Sequence, residues 1–407
     1  MSNIKILFLI LLILCFWNCS KKIEKENSEN EKIGESFKTE KVDTIKYKET
    51  ANKNKEKIKF KKKKNLKINF TRGIYLTAYT VASKYFYSIL DSAEAAEINT
   101  VIFDLKNMNG TIFFSMHQKD SLTHKKSNPI ISIPKVTKTL HDRNMKAVAR
   151  VVMFHDQFFA ENDSLLRPQK NDGSAWQESI KKKPSWLDPS NPKVQKDLLT
   201  IISEAAKQGV DEIQLDYIRF PTQGKLSEAI FNFQVEDSLF ALSDSNYVAR
   251  EKRDIIKDFL VKAKRICLEY NVTLTGDVFA IVAWQREIDI KNTGQDIKVM
   301  TEYLDALHPM IYSSHFFNNF GYREDIPNEP YYIVYKATKL AQKYTNKNCM
   351  VIPYIQSNSW KVNYKQEYII SQIKAIENTN ANGYILWNAS NKYYRTLRWI
   401  KKFNNSK

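Results

Sequence analysis

Three aspartates close short apolar runs, and that repeated placement makes them candidates for chemistry. Asp104 closes Val101-Ile102-Phe103-Asp104, Asp216 closes Glu212-Ile213-Gln214-Leu215-Asp216, and Asp277 closes Leu274-Thr275-Gly276-Asp277. One Asp in an apolar strand is commonly structural; three, all at the same end, are harder to assign to structure alone. An ionised carboxylate beside a protonated one is what glycosidic bond cleavage requires. Asp216 and Asp277 end runs that are consecutive in the strand order, so their backbones should lie about 5 Å apart in one sheet. At that spacing like charges repel and the pKa of one rises. Asp216 is therefore assigned as nucleophile and Asp277 as general acid/base, with the roles interchangeable. A separation of about 5–5.5 Å would suit a retaining reaction and roughly 6.5–9.5 Å an inverting one. Asp104, Tyr217, Arg219, His308 and Tyr312 would position substrate hydroxyls or stabilise charge. The plainer alternative for Asp216 is a structural ion pair with Arg219 or Arg150.

Something must hold these groups, and the hydrophobic pattern says what. Eight strand-like runs follow residue 70: 73–79, 100–105, 145–153, 212–216, 272–278, 306–311, 350–355 and 383–387. Helical periodicity fills the gaps at 84–98, 134–143, 192–208, 248–270, 296–303, 331–344, 364–378 and 392–403. The runs are nearly all apolar, as strands covered on both faces are. Eight alternations of strand and helix are the count of a closed (β/α)8 TIM barrel, in which catalytic groups sit at the strands' carboxyl ends. An open doubly wound sheet is the competing topology, but no glycine fingerprint follows the first strand.

Long loops at 154–190 and 217–247 leave the third and fourth strands on that catalytic face. The first carries Phe158, Phe159, Trp176 and Trp186 among polar residues, and Trp360 and Trp387 follow the seventh and eighth strands. These aromatics suit stacking on sugar rings, and those of the 154–190 loop could equally pack it onto the barrel. Neither HExxH nor HxH spacing occurs among His117, His124, His141, His155, His308 and His315, so the reading invokes no metal. Neither a phosphate loop nor a Gly-x-Ser-x-Gly elbow is present, and no cofactor is expected.

The amino terminus is different in kind. Lys5 precedes the apolar stretch 6–14, too short to span a bilayer and typical of a signal peptide. Cys19 resembles the lipid-attachment cysteine of bacterial lipoproteins, with Trp17 and Asn18 in place of the usual small residues. Segment 20–67 is polar, with few apolar positions, and reads as a disordered basic linker before a folded domain at 68–405. Residues 1–67 hold 18 Lys, no Arg and 9 acidic residues, so half of the net charge of +18 lies there. The basic pI thus reflects a tail beside an anionic membrane or wall polymer, and no nucleic-acid partner is expected. With Cys15 and Cys19 in the leader, only Cys267 and Cys349 remain, and both read as buried small hydrophobes.

Taken together, these segments resemble the bacterial "putative glycosyl hydrolase" domain family of TIM-barrel proteins related to the α-amylase and α-galactosidase superfamily. The resemblance rests on Arg72-Gly73-Ile74-Tyr75-Leu76-Thr77, Phe103-Asp104-Leu105-Lys106, Trp186-Leu187-Asp188-Pro189, the run from Asp211 to Pro221, Gly276-Asp277-Val278-Phe279, Gly294-Gln295-Asp296, and His308-Pro309-Met310-Ile311-Tyr312 with Ser314-His315. It implies a (β/α)8 fold, a fourth-strand nucleophile at Asp216 and a fifth-strand Asp at Asp277. His308 stands where relatives carry Ser. The expectation is a glycoside hydrolase acting on a polysaccharide or oligosaccharide, held by its lipid to a bacterial membrane and facing the periplasm or exterior, or secreted if not lipidated. The alternatives are a non-catalytic carbohydrate-binding protein and a structural envelope lipoprotein on the same barrel.

Overall fold

The computed structural model describes Leu66, residues 68–117 and residues 126–406. The signal segment 1–19 with Cys19, and nearly all of the linker 20–67, lie outside the described residues.

Eight parallel strands close on themselves. They are β1 (Thr71–Leu76), β2 (Thr100–Lys106), β3 (Lys146–Val152), β4 (Glu212–Asp216), β5 (Thr273–Phe279), β6 (Ala306–Ile311), β7 in two pieces (Met350–Val351 and Tyr354–Gln356) and β8 (Gly383–Trp387). Each pairs with the next, and β8 pairs with β1 in the register Thr71↔Gly383. The expected TIM barrel is thereby formed, with no open edge left in the ring. Pro353 explains the break in β7, because proline offers no N–H to the ladder. Gly383 explains the seam: its φ is +141°, and a Cβ there would lie 2.1 Å from the Thr71 carbonyl oxygen.

The helices between strands bury one face each. Pro192–Lys207 begins at Asn191, whose side chain accepts from the amides of Lys193 and Val194. Its Val194, Leu198, Ile201, Ile202 and Ala205 pack into the apolar layer around the barrel. The expected helix at 248–270 starts only at Lys252, where the Asp254 carboxylate accepts the Glu251 amide. The one expected at 296–303 shrinks to Ile297–Met300. Two short strands, Ile112–Phe114 and Ser127–Ile131, extend the sheet beside β2. Cys267 and Cys349 are both buried, and among the described residues neither is in a disulfide.

Inside the ring the side chains are stacked in tiers, four to a tier from alternate strands. Ile102, Val148, Ala306, Ile352 and Ile385 fill much of it. In β4, period-two alternation turns Ile213 and Leu215 outward and points Glu212, Gln214 and Asp216 at the axis. At the floor Glu212 binds Lys146 at 3.1 Å and accepts the Thr275 hydroxyl at 3.0 Å. Burial works against the Glu212 carboxylate, but the Lys146 charge and His308 outweigh it and hold its pKa at about 2.

Candidate active site

At the carboxyl ends of the strands lies a cavity of about 770 Å³. Its polar centre is one guanidinium shared by two acids. Arg150 of β3 donates from Nη1 to Asp104 Oδ1 at 2.5 Å, and from Nε and Nη2 to Asp216 Oδ2 at 3.0 and 2.5 Å. The Tyr75 hydroxyl donates to the other oxygen of Asp104 at 2.6 Å, and the Tyr217 amide to the other oxygen of Asp216 at 2.6 Å. Both carboxyls line the cavity and both are nearly buried. The ion pair between Asp216 and Arg150 is therefore present, and it lies in the cavity rather than in the barrel's structural interior.

Tyr217 follows Asp216 with φ +52°, a left-handed conformation that costs a non-glycine residue energy and is stored chiefly at functional sites. The strained turn carries the chain away from the strand and sets the Tyr217 ring beside His155, at 5.0 Å. The opposite wall is aromatic. Trp387 stacks on Tyr75 with ring centroids 4.2 Å apart, and Tyr312 stands 6.1 Å beyond. Arg150 lies over both Tyr75 and Trp387, at 5.3 and 5.7 Å. Phe279, Met310, Phe316, Phe317 and Phe320 continue the apolar lining.

The two aspartates expected to work together occupy different tiers. The register Leu215↔Gly276 sets Asp216 beside Asp277 along the ladder. Barrel strands tilt, however, so laterally paired side chains stand at different heights. Asp104, Asp216, Met310 and Trp387 form the tier that meets the cavity; Tyr75, Arg150, Asp277 and Tyr354 form the tier beneath. Tyr75 and Arg150 are long enough to reach the cavity, whereas Asp277 is not among its lining residues. Instead the Asp277 carboxyl accepts the Gln214 amide nitrogen at 2.7 and 2.9 Å, and the same nitrogen lies 2.7 Å from the Tyr354 hydroxyl. Burial, and then the Asp216 charge, push the Asp277 pKa well above the carboxylate range. Burial also raises Asp104, against the pull of Arg150.

The other expected binding residues divide in the same way. Tyr217, Arg219, Tyr312 and Trp387 line the cavity with Asp104. His308 does not; its Nδ1 faces the Ile352 carbonyl at 2.9 Å, a tier below Asp277. Trp176 and Trp186 are 2% exposed and pack inside the 154–190 loop, their indole N–H groups bound to the Lys225 carbonyl and to Glu178. Trp186 meets the site indirectly, under the Arg219 guanidinium at 4.6 Å. Trp360 is half-exposed and stacks near His315, itself a cavity residue, at 4.7 Å. The residue that sequence reasoning placed too low is Arg150, weighed only as an ion-pair partner. A lone charge in the otherwise apolar Ala147-Val148-Ala149-Arg150-Val151-Val152 was its signal.

Comparison with known proteins follows the fold. The model of the family described as "Putative glycosyl hydrolase domain" matches residues 73–393. No curated protein matches the chain in sequence. Among solved structures, a hypothetical protein from Ruminiclostridium thermocellum is 30% identical over 50% of this chain and 97% of its own, with a TM-score of 0.42. The PgaB (BpsB) glycoside hydrolase domain from Bordetella bronchiseptica has a TM-score of 0.58 at 11% identity, covering 81% of this chain and 98% of that one. The β-galactosidase from the psychrophilic Marinomonas ef1 has a TM-score of 0.57 at 8% identity, over 82% of this chain and 59% of that one. These last two share the barrel architecture. With four-fifths of its length covered by the family model, the chain belongs to the "Putative glycosyl hydrolase domain" family.

Proposed function

We propose that the chain is a glycoside hydrolase that cleaves an oligosaccharide or polysaccharide in the cavity over the strand ends. The observation that carries this reading is the pairing of Asp104 and Asp216 across Arg150 within an aromatic-walled cavity. Glycoside cleavage needs a carboxylate to meet the anomeric carbon or its water, and a proton for the departing oxygen. Asp216, oriented by Arg150 and the Tyr217 amide, is the carboxylate. Asp104 is the proton donor: it reaches the cavity, and burial raises its pKa. Tyr75, Tyr312 and Trp387 offer ring faces and hydroxyls to a sugar, an arrangement suited to carbohydrate.

A second assignment keeps the acid at Asp277, whose pKa burial also raises. Its support is weaker, because a general acid must come within hydrogen-bond reach of the atom it protonates and Asp277 lies behind the cavity floor. Reducing-end release from a panel of oligosaccharides, with wild type, Asp104→Asn, Asp216→Asn and Asp277→Asn, tests the reading. Loss of release in the Asp104 and Asp216 variants, with partial retention in Asp277→Asn, supports it. Binding without release by wild type would make the protein a carbohydrate-binding module.

The proposed setting is the bacterial envelope, with Cys19 carrying lipid at a membrane and the barrel facing the periplasm or exterior. Among the described residues no helix is long and apolar enough to cross a membrane. Incorporation of labelled fatty acid into the full chain, lost in Cys19→Ala, tests the anchor.

A further inference from the structure

Of the charged groups that line the cavity, one has no counter-ion among the described residues. Asp104, Arg150 and Asp216 satisfy one another, and Arg286 is bound by Asp289 through two contacts of 2.5 and 2.9 Å. Arg219 is different. It is 6% exposed, and its one hydrogen bond runs from Nη1 to the Phe220 carbonyl at 2.9 Å. Among the described residues no carboxylate reaches ion-pair distance of it; Asp216 and Glu178 act on it only from further away. Three aromatic rings hold the guanidinium instead: Phe279 at 4.1 Å, Trp186 at 4.6 Å and Tyr217 at 5.2 Å.

A buried, unpaired cation is expensive, and proteins normally pair it or place it in water. Cation–π contact recovers only part of that cost. The stacking does something more specific: it fixes the plane of the fork, so that the donors left over face the cavity in a set geometry. A planar guanidinium presented rigidly into a closed space is a receptor for an oxyanion, which it can bind through two parallel N–H groups. Buried in aromatic surroundings, such a contact is also far stronger than one in water.

We infer that the glycan cleaved here is acidic, and that Arg219 seats a carboxylate or sulfate ester carried by one of its sugar residues. This rests on the glycosidase reading for its site. Arg219 is a specificity-determining residue in this account; it takes no part in bond cleavage. A neutral sugar in the same place would leave the cation without a partner, so the charged substrate is selected over its neutral counterpart.

The test measures binding by calorimetry to a matched set of probes: oligo-hexuronates of several backbones, the same oligomers after carboxyl reduction, and the reduced oligomers bearing sulfate esters. Wild type should bind a carboxylated or sulfated form roughly 10-fold or more tightly than the reduced form. The preferred form tells which oxyanion the site accepts. In Arg219→Met the ratio of charged to reduced affinity should fall close to one, and Arg219→Lys should keep part of it. A purely structural arginine would weaken all probes alike and leave that ratio unchanged, which overturns the inference. Equal affinity of wild type for charged and reduced forms, including none for either, also overturns it. Thermal melts check that the variants fold, and the wild-type preference stands as a test by itself if Arg219→Met does not. Reducing ends are assayed in the same mixtures. Charge-selective binding without release removes the glycosidase reading and keeps the anion seat, whereas release without charge selectivity does the reverse.

Discussion

Asp216 Oδ2 receives two donors of the same side chain, Arg150 Nε and Nη2, while the third face of that guanidinium holds Asp104. Arg150 is thus the centre of the site and part of its stability at once. Burial works against its charge, but Asp216 and Asp104 more than offset that and raise its pKa well above the usual value.

Replacing Arg150 by Met should leave two buried acids facing each other without a cation. A loss of about 3–5 kcal/mol is expected, read from urea unfolding of the folded domain. Arg150→Lys keeps the charge and loses the fork, so it should recover part of the stability while hydrolysis stays low. A melt unchanged in Arg150→Met would show that the pair carries little.

Asp277 offers a pH signature. Its pKa is raised in the folded protein, so the folded state keeps a proton that the unfolded chain releases above the ordinary carboxylate range. Stability contributed through this group is therefore present at low pH and falls as pH rises, by up to about 1.4 kcal/mol per unit while only the unfolded chain is ionised. Asp277→Asn mimics the protonated form. Its stability relative to wild type should grow as pH rises above the ordinary carboxylate range, about 4. Denaturant midpoints at several pH values check this, and parallel curves for the two proteins would contradict it.

The barrel seam depends on one residue without a side chain. Gly383→Ala places a Cβ 2.1 Å from the Thr71 carbonyl oxygen at a φ of +141°. Opening β8 from β1 should cost more than about 2 kcal/mol. A thermal melt within a degree or two of wild type would mean that the seam relaxes easily.

Much of this architecture was legible in the residues. The bounds of β4, β6 and β8 match the apolar runs, because Gly209, Pro221 and the flanking helical patterns punctuate them sharply. β7 read as continuous, since a pattern of apolar residues is blind to the amide that Pro353 lacks. The adjacency of Asp216 and Asp277 along the ladder is legible in the order of the strands. Their difference in height is not, because tilt is a property of the closed ring and leaves no mark on either strand. The loop aromatics show a similar limit. Trp176 and Trp186 sit among polar residues yet are buried, the Trp186 N–H bound by Glu178 of the same loop and the Trp176 N–H by the Lys225 carbonyl of the 217–247 loop. Arg219 is legible as a charge after β4, but the three rings around it, with no carboxylate at ion-pair distance among the described residues, appear only in the fold.

Reducing-end release by wild type and Asp216→Asn, at matched folding judged by thermal melt, tests the central claim most directly. Wild type should release reducing ends from at least one glycan that it binds, and Asp216→Asn should lose roughly 1,000-fold or more of that rate while still binding the same glycan. Undiminished release by Asp216→Asn, or no release by wild type from any glycan it binds, would contradict it.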